Sequence, residues 1–157
     1  MSKRPNFKEI SVHEGPKQSL GFLLWHISTS WRSTIEAVLK SVELTHPQFV
    51  ILAATGWLTR NGKFATQIAI GKMAGLDPNT TSQIIKGLEL KKLVKREKST
   101  DGRAKNVFLT STGGARLSRA MPKVEKTDGK FFSILAEREM SNLLGIFQKL
   151  IPEKSIT

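Results

Sequence analysis

Asn79, Thr80, Gln83 and Lys86 bring amide, hydroxyl and ammonium groups close together in the chain, a set suited to hydrogen bonding and not to bond making. Asn and Gln amides can pair in bidentate fashion with adenine, and lysine favours guanine or phosphate. The residues just before them say how such a set would be held. Asp77 is a good helix N-cap, and Pro78 fits the first helical position, where its missing N–H would lack an intrahelical partner anyway. At about 100° per residue, Thr81, Ile84, Ile85 and Leu88 share one face while Asn79, Gln83 and Lys86 fall on the opposite one. The spacing therefore predicts a helix with an apolar side for the core and a polar, cationic side for a partner. Thr81 stays open, because its methyl can equally join the core. Two β-prone runs follow, residues 93–97 and 106–109, separated by a turn-rich, charged stretch. They predict a hairpin whose tip carries Lys98, Arg103 and Lys105.

Composition points the same way. The chain has 157 residues, one domain by length and enough for a real core. With 25 Lys and Arg against 13 Asp and Glu, its formal charge is +12, an excess that favours a polyanion as partner. A solvated basic surface or an anionic membrane face are the other readings of that excess. The chain has no cysteine, which excludes disulfides, zinc–thiolate sites and thiol redox sensing. Its polar start lacks the apolar stretch of a signal peptide, and no run approaches membrane-spanning length, so the expectation is a soluble cytoplasmic protein. His13, His26 and His46 are far apart and lack nearby carboxylates at ligand spacing, so no metal or other cofactor is expected. No zinc-protease, phosphate-loop or serine-hydrolase motif is present. Gly113 and Gly114 more simply begin a helix than a phosphate loop, and Glu137 with Glu139 reads as a charged helical face, so no catalytic residue is assigned.

Around the reading helix, other elements can be placed. Residues 1–15 are polar, broken by Pro5 and Gly15, and read as a flexible arm whose Lys3, Arg4 and Lys8 either touch phosphates or form a free tail. From 17 to 43, Leu20, Leu24, Ile27, Trp31, Ile35, Val38 and Val42 recur at steps of three and four, the mark of one long amphipathic helix. Met140, Leu143, Leu144, Phe147, Leu150 and Ile151 repeat that rhythm at the other end. Burying the two seams together, at roughly 25 cal/mol per Å², would drive association of subunits. Thr45 caps a helix to about residue 58, and Thr66 caps a short one, with Ile68, Ile70 and Met73 inward, that Gly75 ends. These two form a helix-turn-helix pair. Thr110 caps a fifth helix, kinked at Pro122 and open to interruption at Asp128–Gly129, and a sixth spans residues 137–150 before Pro152.

Several of these motifs together resemble the MarR (multiple antibiotic resistance regulator) family of bacterial winged-helix regulators. Leu44-Thr45-x-x-Gln48 resembles that family's opening of the second helix. Leu76-Asp77-Pro78 opens the recognition helix, and Leu88-Glu89-x-x-x-Leu93-Val94-x-Arg96 leads from it into the wing. Asp101-x-Arg103, followed by Leu109-Thr110-x-x-Gly113, is the wing signature. The likeness spans residues 20–150, and these elements in order are far more specific than any one alone. It implies a mainly α fold with a small β-hairpin: a winged helix-turn-helix over residues 45–110, and dimerisation helices over 16–43 and 111–151.

What the resemblance implies for function is a homodimer reading double-stranded DNA. Asn79, Thr80, Gln83 and Lys86, with Pro78 and Thr81 beside them, would face the major groove. Thr66, Gln67 and Lys72 would meet the backbone. Arg103 would enter the minor groove, Asp101 would hold the wing, and Lys98 and Lys105 would lie on phosphates. In the family a small aromatic effector binds between the dimerisation helices and the DNA-binding domain. Trp25, His26, Thr29, Arg32, Phe49, Ala53 and Trp57 are the corresponding positions, although Trp25, Phe49 and Trp57 also suit an ordinary core and Arg32 an interdomain ion pair. The expectation is thus a dimeric repressor on a palindromic operator. An architectural DNA-binding protein without an effector is the alternative, and an RNA-binding winged helix ranks behind both. One departure is physical: Lys92 stands where relatives place a glycine, and a positive φ there would cost about 1 kcal/mol.

Overall fold

Side-chain caps fix where the helices begin. Ser19 Oγ accepts from the Phe22 N–H at 3.2 Å, Thr45 from Gln48, Thr66 from Ala69, Asp77 from Thr80 and Thr110 from Gly113. Each satisfies an N–H that has no intrahelical partner. Gln48 returns the bond to the Thr45 N–H, completing a capping box. The computed structural model describes residues 4–100 and 102–156. In chain order the helices are α1 (Phe7–Ile10), α2 (Leu20–Leu39), α3 (His46–Thr59), α4 (Gln67–Ala74), α5 (Pro78–Leu90), α6 (Ser111–Phe132) and α7 (Glu137–Leu150). An antiparallel hairpin of β1 (Val94–Lys98) and β2 (Lys105–Leu109) stands between α5 and α6. The wing is widened where Asn106 bridges Thr66 and the Val107 N–H donates to the Ala65 carbonyl at 2.9 Å. The expected fold, mainly helical with a small hairpin, is the one observed.

The core gathers one apolar face from nearly every element. Ile35 and Leu39 of α2, Ile51 and Leu52 of α3, Ile70 of α4, Ile85 and Leu88 of α5, and Val107 of β2 are fully buried. Two glycines permit close approach. A Cβ on Gly71 would stand 2.6 Å from Thr81 Oγ1, so its absence lets α4 and α5 meet. A Cβ on Gly113 would fall 1.8 Å from the Leu93 carbonyl oxygen, so the start of α6 presses directly on the backbone leading into β1. Lys92 does adopt φ 57°, and its strained turn is closed by the Lys92 N–H on the Glu89 carbonyl at 2.8 Å and the Leu93 N–H on that of Leu88 at 2.9 Å.

Several expectations are corrected. The first long helix does not run from 17 to 43: a 3-10 turn over Pro16–Gln18 precedes it, and another over Lys40–Val42 leads to Glu43 at φ 55°. Ile68 is 62 % exposed, because it lies about 200° around α4 from the buried Ile70 and cannot share its face. α6 continues unbroken through Pro122 and through Asp128–Gly129, held by packing on α2 and α3. Lys98 and Lys105, placed in the hairpin tip by the sequence, are instead paired strand residues. Within the proposed N-terminal arm, residues 7–10 form one exposed helical turn.

Candidate nucleic-acid interface

α5 displays the two sides its spacing predicts. Thr81, Ile85 and Leu88 are buried, while Asn79, Thr80, Gln83 and Lys86 are exposed along one side of the helix. Thr81 therefore leaves the reading set: it is 1 % exposed and its hydroxyl donates to the Asp77 carbonyl at 2.8 Å. Thr80 is exposed, but its hydroxyl donates to the Asp77 carboxylate, which also accepts the Thr80 N–H. Those bonds, the side-chain one first, hold the Asp77 carboxyl below its ordinary range. Pro78 begins the helix in the exposed first turn, as expected. Thr66 is half-buried and its hydroxyl oxygen accepts the Ala69 N–H as the cap of α4, while Lys72 is exposed.

One ion pair binds the reading helix to the wing. Arg96 of β1 donates through Nε to Glu89 of α5 at 2.9 Å and again through Nη2, and its Nη1 reaches Gln67 of α4 at 3.3 Å. Three elements are thereby fixed to one guanidinium. In the sequence Arg96 is one letter of the wing motif, and a Glu and an Arg seven residues apart across a helix-to-strand turn are the signal of the pair. A second tie, from Lys91 Nζ to the Glu43 carbonyl at 2.7 Å and to Gln48 Oε1 at 2.9 Å, joins the end of α5 to the start of α3.

In the wing, Lys98 of β1 lies directly opposite Lys105 of β2. Like charges at such a position repel, so the pair suits an anion between them. Arg96, Glu97, Lys98 and Lys105 line a shallow polar cavity of about 180 Å³. Arg103 is exposed beyond the strands. Asp101 lies outside the described residues, as does Lys3 of the arm.

The expected effector positions are not brought together as one pocket. Phe49 is a core residue, 6 % exposed, and Ala53 packs against that core, because α3 turns this side to the domain centre. Trp25, His26, Thr29 and Arg32 are exposed on α2. Trp57 is exposed at the far end of α3, under the Arg60 guanidinium at 3.6 Å. An apolar cavity of about 250 Å³ lies elsewhere, between α6 and α7, lined by Phe132, Met140, Leu143, Leu144 and Phe147 with Asp128 at its edge. The aromatic of α2 that does reach α3 is Trp31, edge-on to His46 at 5.0 Å, with its indole N–H on Asp128 of α6 at 2.7 Å. Among the described residues, no group of three or more His, Cys, Asp and Glu could hold a metal ion, and no helix is long and apolar enough to cross a membrane.

A helix-turn-helix followed by a two-stranded wing defines a winged-helix protein, and comparison with known proteins places it further. The MarR family model matches residues 44–105. The chain is 33 % identical over 142 residues to the uncharacterized HTH-type transcriptional regulator YdcH of Bacillus subtilis, covering 90 % of this chain and 95 % of that protein. It therefore belongs to the MarR family of DNA-binding transcriptional regulators. The fold is that of CouR from Rhodococcus jostii, solved with p-coumaroyl-CoA, at TM-score 0.79, 18 % identity and 90 % and 97 % coverage of the two chains. It is equally that of a mutant Escherichia coli MarR complexed with operator DNA, at TM-score 0.79, 20 % identity and 95 % and 100 % coverage.

Proposed function

We propose that this regulator is a homodimeric repressor that reads a palindromic operator through paired α5 helices and wings. The observation that carries this reading is the exposed Asn79, Gln83 and Lys86 face of α5, backed by buried Ile85 and Leu88 and tied to the wing through Glu89 and Arg96. Asn79 and Gln83 offer amides to base edges, and Lys86 a cation to guanine or phosphate. Pro78 and Thr80 border that surface, Thr66 approaches the backbone, and Lys98, Arg103 and Lys105 extend it along the wing, with Asp101 in the same signature. The E. coli MarR complex with operator DNA, which has this fold, supports the docking mode.

Dimerisation is supported by apolar surface that the described residues of one subunit leave exposed. No residue of α7 is buried, and Met140, Leu144, Phe147 and Leu150 are exposed along it. Leu20, Leu24 and Trp25 are likewise exposed at the start of α2. Covering these seams with a second copy fits dimerisation helices over residues 16–43 and 111–151, outside a reading unit of 45–110. A two-fold dimer calls for half-sites about one helical turn, roughly 34–36 Å, apart. An aromatic acyl or acid effector would change that separation. CouR, solved with p-coumaroyl-CoA, supports the chemical class, and Trp25, His26, Thr29 and Arg32 remain the accessible positions for it.

Footprinting on genomic DNA, with and without cell extract, tests the reading. A few two-fold symmetric protected sites, with some lost on adding extract, are expected. Broad A·T-rich coverage would instead favour the architectural alternative.

A further inference from the structure

α6 carries a second cationic surface that the reading of an operator leaves unused. Arg119, Lys123, Lys126 and Lys130 are all exposed, and at 100° per residue they fall within an arc of about 60°. None of the four side chains has a hydrogen bond or ion pair among the described residues. Arg116 borders the row but is already engaged, donating to the Val42 carbonyl at 2.8 Å and lying 3.4 Å from Glu43. The acidic residues of the helix, Glu125 and Asp128, project about 120° or more from the centre of the row. The buried Ala120 and Val124 point to a different side again.

Position within the fold keeps this row open. The cavity between α6 and α7 is lined from α6 by Asp128 and Phe132, about 150° or more around the helix from the centre of the row, and by Gly129 on its flank. A second copy seated on that apolar side would not have to cover the four cations. The row also belongs to a helix that packs on α2, α3 and β2, apart from the exposed side of α5.

We infer that the Arg119–Lys123–Lys126–Lys130 row is a sequence-independent surface for the phosphate backbone of a second DNA duplex, distinct from the one read by α5 and the wing. Four cations over twelve residues span about 16 Å of helix, and each strand of a duplex carries one phosphate per 3.4 Å of the duplex axis. The row is therefore long enough to meet several phosphates on one side of a duplex. It carries no aromatic group on which a single-stranded base would stack. It also carries no apolar residue that would anchor the helix in a lipid surface. In a dimer the two rows would let one regulator hold duplexes besides its operator. This rests on the proposed homodimeric operator reader for the first duplex, but the charge argument for the second stands on α6 itself.

The test is a capture experiment with the full chain and the variant carrying Lys123→Gln, Lys126→Gln and Lys130→Gln. A duplex selected from a random pool for tight binding is immobilised and saturated with protein, and a fluorescent 60-base-pair random-sequence duplex is then added over a range of salt. The wild type should capture the second duplex, and the slope of log K against log salt for that capture should be shallower by about 2.7 in the variant, three contacts at 0.9 each. Affinity for the immobilised duplex and the dimeric state should stay within twofold. The inference is overturned by absent second capture in the wild type, by unchanged capture in the variant, or by parallel loss of affinity for the first duplex. Preferential binding of the row to phosphatidylserine vesicles would also overturn it. Failure of the pool to yield any preferred sequence would count instead against the operator reading, and capture between two random duplexes would still decide the role of α6.

Discussion

Glu89, in the last turn of α5, and Arg96, in β1, are joined by two hydrogen bonds from one guanidinium to one carboxylate oxygen, with both side chains largely shielded from water. The pair fixes how far the wing stands from the reading helix, because Arg96 also reaches Gln67 on α4. Arg96→Met keeps an unbranched apolar stem and removes every one of those bonds. It leaves Glu89 partly buried without its partner, a loss of about 1.5–3 kcal/mol for bonds to a charged group. Urea unfolding should report that loss, and DNA affinity should fall with it. Glu89→Gln, which can still accept from Arg96, should lose less. Equal stability in Arg96→Met and the wild type would show that the pair contributes nothing.

Arg103 belongs to the part of the interface made of charge and reach, without burial. Arg103→Ala should therefore weaken operator binding, make the slope of log K against log salt shallower by about 0.9, the loss of one cation from the contact, and leave the dimer unchanged. Fluorescence anisotropy on a footprinted site, beside size-exclusion chromatography, checks both halves. Wild-type affinity would remove the wing from the reading of DNA.

Two glycines inside helices separate packing from propensity. Gly71→Ala gains helix propensity of about 1 kcal/mol, yet its new methyl must occupy space 2.6 Å from Thr81 Oγ1 and 3.2 Å from Thr81 Cγ2. Overpacking of that kind costs about 1–3 kcal/mol, so the variant should be less stable and the α4–α5 turn distorted. Gly87→Ala meets only the Gln48 amide nitrogen, at 3.4 Å, and should be more stable by up to about 1 kcal/mol. A urea midpoint for Gly71→Ala at or above that of the wild type would refute the packing argument at Gly71.

How much of this was legible from residue types follows the range of the forces involved. Caps are local, and Thr45, Thr66, Asp77 and Thr110 each start the helix their side chains suggest. The two-sided pattern of α5 is local as well. Boundaries that depend on tertiary contact were not legible: α6 passes through Pro122 and Gly129 because Ala120 and Val124 anchor it in the core. Ile68 and Phe49 show the same limit in opposite directions, one apolar residue left outside and one aromatic residue placed inside by neighbours far along the chain. In the interface, exposed amides and cations could be named from spacing. The Glu89–Arg96–Gln67 cluster could not, since it needs α4, α5 and β1 already assembled. Lys92 lies between these cases, its motif position predicting the strain that φ 57° displays.

His46 supplies the last prediction, a dependence of stability on pH. It opens α3, is buried, and stands edge-on to Trp31, whose indole is held by Asp128. Burial lowers its pKa from 6.5, the nearby positive charge of Arg32 lowers it further, and Glu36 and Asp128 oppose that shift in part. The folded protein thus binds a proton at His46 less readily than the unfolded chain does. Its contribution to stability is fully present above about pH 6.5 and is lost as pH falls below that value, through the lowered pKa of the folded state. Unfolding midpoints in urea should therefore drop between pH 7.5 and pH 5.5 by more in the wild type than in His46→Gln, whose side chain takes no proton in this range. His13 and His26 are exposed on other segments and are common to both proteins, so the difference isolates His46. Identical pH profiles would mean that the buried imidazole titrates as it does in the unfolded chain.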